Sequence, residues 1–157
     1  MRNITSLFLF LAFASVSVGA DPARQRQEDD IREAVFRWQF DHNLSGQQKK
    51  AKVYFLSVGD KYGDPSDEFI KRFADNKAPV RKRSECTVDA GKGVLDKKTG
   101  EQGLIFNVTR IQWKSDTEVE VEGGYYEAGL SASGNTYALK KDKGKWQVTK
   151  DKMDVIS

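Results

Sequence analysis

Between Gln25 and Asn43 the apolar positions fall at a helical period. Ile31, Val35, Trp38 and His42 recur at steps of four, three and four; Ala34 lies beside them, and Phe36 and Phe40 widen the apolar side. Steps of three and four put side chains on one face of a helix, so a helix is predicted from about Gln25 to Asn43. Glu28, Asp29 and Asp30 are expected at its start, where the helix dipole favours negative charge. Asn43 and Gly46 supply the stop. The next segment, KVYFLSVG, is β-branched and aromatic and reads as a strand. GDPSDEFIKRFADNKAP predicts a short helix, with Pro65 and Ser66 at its start, Phe69, Ile70 and Phe73 on its buried side, and Pro79 ending any continuation.

From Val80 the period changes to two. In VRKRSECTV, Val80, Ser84, Cys86 and Val88 alternate with Arg81, Arg83, Glu85 and Thr87, which predicts one strand with a wet face. DAGKGVLDKKTGEQG, Asp89 to Gly103, reads as a glycine-rich connection with a turn at Lys98-Thr99-Gly100. Its Gly-Lys-Gly lacks the spacing of a phosphate loop. LIFNVTRIQW is a longer strand whose buried parity switches near Thr109-Arg110, the mark of a bulge. In TEVEVEGGYYEAG, Val119, Val121 and Tyr125 alternate with Glu118, Glu120 and Glu122. That gives one dry face and one acidic face, the latter expected to pair with lysines of neighbouring strands such as Lys140 and Lys150. Glycine inside a strand marks a sharp bend or a close backbone approach, and Gly123-Gly124 is expected to mark a bend. Ser131 to Asn135 reads as a loose turn. GNTYALKKD and KWQVTKDKMDVI are the last two strands, joined by a tight turn at Lys143-Gly144. The fold class predicted is α+β, a long N-terminal helix and a short helix packed against a strongly curved antiparallel sheet.

The first twenty residues, MRNITSLFLFLAFASVSVGA, do not join this pattern. Arg2 precedes an apolar run of about 15 residues, and Val18-Gly19-Ala20 ends it with short side chains. This predicts a secretory leader over residues 1–20, cut after Ala20. One domain is then expected over 21–157, exported to a periplasm or the exterior. The run is short for a membrane span of about 20 residues, so no membrane contact is expected after cleavage. Loss of Arg2 lowers the formal charge from +3 to +2. Acids and bases are interspersed, without the basic face that nucleic-acid binding requires, so no nucleic-acid partner is expected. The single cysteine, Cys86, excludes an intramolecular disulfide framework and a cysteine metal site, and is expected to be a small buried hydrophobe. With one histidine and scattered carboxylates, neither a metal nor a cofactor is expected.

The order of elements, and the closing GKWQVTKDKMDVIS with its Lys-Gly-Lys turn and inward Trp146 and Val148, resembles the nuclear transport factor 2-like superfamily. VEVEGGYYEAGLSASGNTYALKKDKGKW is similar to small exported bacterial proteins of that superfamily without assigned activity. The resemblance covers nearly all of 21–157. It implies a cone, with the sheet wrapped around the N-terminal helices. It also implies either a binding module or a hydratase, isomerase or cyclase acting on a hydrophobic substrate. No catalytic set of that superfamily aligns onto this chain.

Three functions are therefore set against one another. The first is non-enzymatic binding of a small apolar ligand in the cone, or of a second copy or another protein across the outer sheet. The second is an enzyme using His42 and Asp41 as acid and base, since imidazole titrates near neutrality. The third is an interaction module with a filled cone. There is no Gly-x-Ser-x-Gly elbow to support a serine nucleophile. The ligand-binding candidates are Trp38, His42, Tyr54, Trp113, Tyr125 and Tyr126. Tyr125 and Tyr126 fall on opposite strand faces, so one of them is expected outside the core, at a pocket mouth or partner surface.

Overall fold

The computed structural model describes residues 21–46, 50–129 and 131–156; the expected leader lies outside them. Helix α1 (Pro22–His42) begins earlier than its periodicity suggests. The Asp21 side chain accepts the Ala23 N–H at 2.9 Å, and Pro22 opens the first turn, where its missing N–H costs nothing. Glu28, Asp29 and Asp30 consequently sit beyond the first turn. Glu28 and Asp29 both hold Arg32, at 2.9 and 3.0 Å. The helix ends where the Asn43 N–H and Nδ2 both bond the Gln39 carbonyl. Its buried stripe is Ile31, Val35, Phe36, Gln39 and Phe40. His42, expected on that stripe, is exposed, because the stripe turns toward Phe36 and Phe40 and away from Trp38.

Eight strands follow: β1 (Val53–Val58), β2 (Val80–Lys82), β3 (Cys86–Asp89), β4 (Gly93–Asp96), β5 (Gly103–Ser115), β6 (Glu118–Ala128), β7 (Ser131–Asp142) and β8 (Lys145–Ile156). Helix α2 (Asp67–Lys71) lies between β1 and β2 and is capped by the Ser66 hydroxyl. Six strands form one sheet in the order β2-β1-β5-β6-β7-β8, while β3 and β4 form a separate antiparallel pair. The main sheet is mixed rather than antiparallel, because β1 runs parallel to both β2 and β5. Parallel neighbours need a long crossover, and α2 with the β3–β4 excursion supplies it.

Three further expectations are corrected. VRKRSECTV is not one strand. A 3-10 turn at Arg83–Glu85 divides it, held by Lys82 N–H to Glu85 Oε1 at 3.1 Å and Ser84 N–H to Asp64 Oδ1 at 2.8 Å. Such side chain-to-backbone bonds compete with a strand ladder. Asp89–Gly103 is not all connection, since Gly93–Asp96 pairs with β3. Buried Asp96 closes the next turn by accepting the Lys98 N–H at 2.7 Å. Arg81 lies 3.0 Å from its other oxygen, an ion pair without hydrogen-bond alignment. Ser131–Asn135 is the start of β7, not a turn. It pairs with β6 through Tyr125↔Ser133, Gly124↔Gly134 and Gly123↔Asn135.

The β5 parity switch does correspond to a slip in the β5–β6 ladder between Val108 and Arg110. Lys143 and Gly144 both take positive φ, as a two-residue hairpin turn requires. The acidic comb is paired: Glu118 with Lys140, Glu120 with Lys114, Glu122 with Arg110. Lys150 takes no part in these pairs. Gly123 and Gly124 are explained by close approach. A Cβ on Gly123 would collide with the Asn107 carbonyl oxygen of β5, and one on Gly124 with the Ser133 carbonyl oxygen of β7.

The main core lies between α1, α2 and one sheet face, and includes Phe36, Phe40, Phe69, Phe73, Leu104, Phe106, Val121 and Tyr137. A second cluster on the other face joins Val53, Phe55, Cys86, Val94 and Ile105 beneath the β3–β4 pair. Burial on both faces explains why VYFL and LIF are continuous apolar runs. Cys86 is buried as expected, and its burial pushes the thiol pKa up. Tyr126 packs against this second cluster; it is not the exposed tyrosine its parity suggested, because β3–β4 covers that face.

Candidate functional site

The C-terminal end of α1 and the inner side of β7 and β8 enclose a cleft of about 290 Å³, at the small end of ligand sites, which run about 300–1,000 Å³. Gln39 forms its floor. This side chain is 3 % exposed. Its Nε2 lies within hydrogen-bond distance of three acceptors: the Asn107 carbonyl at 3.1 Å, the Gly124 carbonyl at 3.3 Å and the Tyr137 hydroxyl at 3.2 Å. With two hydrogens for three acceptors, one bond is shared. Its Oε1 is buried and has no hydrogen-bond partner. The amide orientation is set by its neighbours, because turning it over would bring Oε1 against two carbonyl oxygens.

Trp38 and His42 form one wall. Their rings stack at 3.7 Å, with 7° between planes. His42 Nδ1 is 3.0 Å from the Trp38 carbonyl. A carbonyl only accepts, so Nδ1 carries the proton and Nε2 is the free nitrogen. Trp38 Nε1 donates to Asp151 Oδ2 at 2.9 Å, Asn135 Nδ2 donates to Asp151 Oδ1 at 2.7 Å, and the Ser133 hydroxyl donates to Asn135 Oδ1 at 2.8 Å. Tyr125 and Tyr137 supply the opposite wall, and Leu44 and Met153 an apolar rim.

Burial pushes the Tyr137 phenol pKa well up; the Gln39 bond opposes this, and the Asp151 charge adds to it. Burial likewise raises Tyr54, with Asp41 contributing, and Tyr125, with Glu127 contributing. An unfolded tyrosine ionises near pH 10. The folded chain holds these protons longer, so their stabilisation is complete below about pH 10 and is lost as pH rises beyond it. Tyr137→Phe is expected to shallow that alkaline loss by up to about 1.4 kcal/mol per pH unit. Urea titrations between about pH 9 and 11.5 read it; an unchanged slope counts against a buried Tyr137 phenol.

Of the sequence candidates, Trp38, His42 and Tyr125 meet at this cleft. The others do not. Tyr54 is in the core between Phe40 and Phe106. Trp113 lies edge-on to Trp146, under the Arg24 guanidinium at 3.5 Å. Tyr126 belongs to the second cluster, and Asp41 is exposed outside the cleft lining. Gln39, Asn135, Tyr137 and Asp151 were missed. Gln39 had a signal, since it follows Ile31 and Val35 at steps of four, a polar residue on an apolar stripe. Asp151 had none, because the β7–β8 ladder slips between Ala138 and Leu139 and shifts its face.

A larger groove of about 530 Å³ runs beside Gly144. Its acidic charges are already paired: Arg37 holds Glu33, and Arg72 beside it holds both Asp30 and Glu33. Among the described residues no group of three or more histidine, cysteine or acidic side chains is placed to hold a metal ion. No helix among them is long and apolar enough to cross a membrane. Comparison with family models, curated proteins and solved structures finds no match to this chain.

Proposed function

We propose that this chain is an exported, non-enzymatic binding domain whose site is the cleft at the end of α1. Its ligand is one small molecule that sets a hydrogen-bond donor against Gln39 Oε1 and an apolar part against Trp38, Tyr125 and Met153. The observation that carries this reading is the unpartnered Gln39 oxygen. A buried acceptor left without a donor costs about 1–3 kcal/mol, and a bound donor offsets that cost. Ligand is placed in the cleft rather than deep under the helix because Phe36, Phe40 and Phe106 fill the core there. The wrapped, cone-like sheet belongs to the same proposal. The ladder slips along β5–β6, β6–β7 and β7–β8 favour it, since each bulge bends and twists its strand. Export is favoured by the helix cap, because cleavage after Ala20 keeps Asp21 and Pro22 intact.

The enzyme reading has His42 Nε2 free at the cleft mouth, but Asp41 lies outside the lining, and Asp151, the carboxylate that lines it, is held by Trp38 and Asn135. A partner across the outer sheet would meet Glu118, Glu120 and Glu122 already paired with their own lysines and arginine. Native mass spectrometry of the chain from its own cells tests the binding reading. The expected result is a chain starting at Asp21 with a small adduct that leaves on denaturation and is absent from Trp38→Ala. A wild-type chain with no adduct would count against the reading.

A further inference from the structure

Resting on the cleft reading, we propose that the ligand is a small organic cation, an ammonium group carried on an apolar body about the size of one ring. Among the described residues Asp151 is the one acidic side chain lining the cleft, and no lysine or arginine lines it. Its two oxygens each accept one bond from a neutral donor, Asn135 Nδ2 and Trp38 Nε1. These bonds orient the carboxylate without cancelling its charge. A carboxylate offers about four lone-pair positions, so each oxygen has one left for a ligand. Among the described residues Asp151 has no ion pair. Its neighbours Lys150 and Lys152 alternate to the other face of β8, and Lys152 is bonded to Asp154 at 2.6 Å.

The remaining groups point the same way. The Trp38 N–H and the Ser133 hydroxyl are engaged within the wall. The acceptors still short of donors are Gln39 Oε1, buried at the floor, and Asp151 at the side. An ammonium carries up to three N–H donors and accepts nothing, which suits that inventory. Trp38, Tyr125 and Tyr137 contribute aromatic rings, which attract cations to their faces. Glu127 adds a second negative charge beside this end of the cleft, where it accepts from Ser45 and Ser131 at 2.6 and 2.9 Å. An anionic ligand would face two carboxylates, with no lysine or arginine among the described lining residues to receive it.

Phenethylamine, 2-phenylethanol and phenylacetate share one skeleton and differ in charge, so backbone amide shifts on titration with each separate the alternatives. Phenethylamine is expected to bind at least about tenfold tighter than 2-phenylethanol, a difference of about 1.4 kcal/mol, with phenylacetate weakest. The shifts should fall on the end of α1 and on β7 and β8. Asp151→Asn is expected to bring the amine and the alcohol within about twofold of each other. Trp38→Ala should weaken both. Equal binding of all three at the cleft, or tighter binding of phenylacetate, would overturn the cation assignment while leaving the cleft as a site. No shift at the cleft with any of the three would remove the assignment and the cleft reading together.

Discussion

Gly124→Ala is expected to destabilise the fold by about 3 kcal/mol or more. The added Cβ would overlap the carbonyl oxygen of Ser133 in β7. That oxygen belongs to the backbone, so no side-chain rotation relieves the collision, and β6 must move away from β7. Such a shift also disturbs the floor of the cleft, because the Gly124 carbonyl accepts from Gln39 at 3.3 Å. Gly134 is the internal control. It faces Gly124 across the ladder, yet a Cβ there first meets Val155 at 4.0 Å, an ordinary contact. Gly134→Ala is expected to stay within about 0.5 kcal/mol of the parent. Urea midpoints compare the two substitutions, and equal stabilities would show that the close approach of β6 and β7 is not what requires glycine.

Phe36→Ala is expected to cost about 3–5 kcal/mol, a large part of the 5–15 kcal/mol that holds a typical domain. Phe36 is fully buried and meets Phe69 and Phe73 edge-on, with ring centres 6.0 and 6.2 Å apart. It therefore couples α1 to the α2 segment. Truncation removes both the buried area and the two ring contacts, and α2 is too short to close the void without leaving the sheet. The polar clamp beside it, where Arg37 holds Glu33 and Asp75, is half-exposed and compensates little, since such pairs contribute about 0–1 kcal/mol. Phe36→Leu should lose much less, because most of the volume remains. A loss below about 1.5 kcal/mol for the alanine variant would mean that the α1–α2 contact collapses to fill the space.

What the sequence determined by itself was local and periodic. Steps of three and four between Ile31 and Phe40 specify a helix wherever it packs, because side-chain direction follows from the helical repeat. The parity change between Val108 and Ile111 located a bulge in β5 for the same reason, and Lys143-Gly144 specified a turn by its backbone freedom. The identity of the helix's buried edge was less legible, since Trp38 and His42 shared the period with Val35, and only packing against β5, β6 and β8 turned the stripe toward Phe36 and Phe40. Strand partners were not legible at all. Tyr54 carries no mark saying that Val80 and Leu104 lie beside it in parallel, because such pairing is set by which faces are buried once the chain has closed. Ser131–Asn135 has turn-like composition, yet it became strand because it pairs residue by residue with β6 from Ala128 back to Gly123. The candidate site depends most on closure. Gln39 announced itself as a polar residue on an apolar stripe, but Asn135 and Asp151 reach Trp38 only after β7 and β8 pair with two slips in register. Hydrogen bonds between residues more than a hundred positions apart, as between Trp38 and Asp151, exist only through the tertiary fold, because no local period links their positions along the chain.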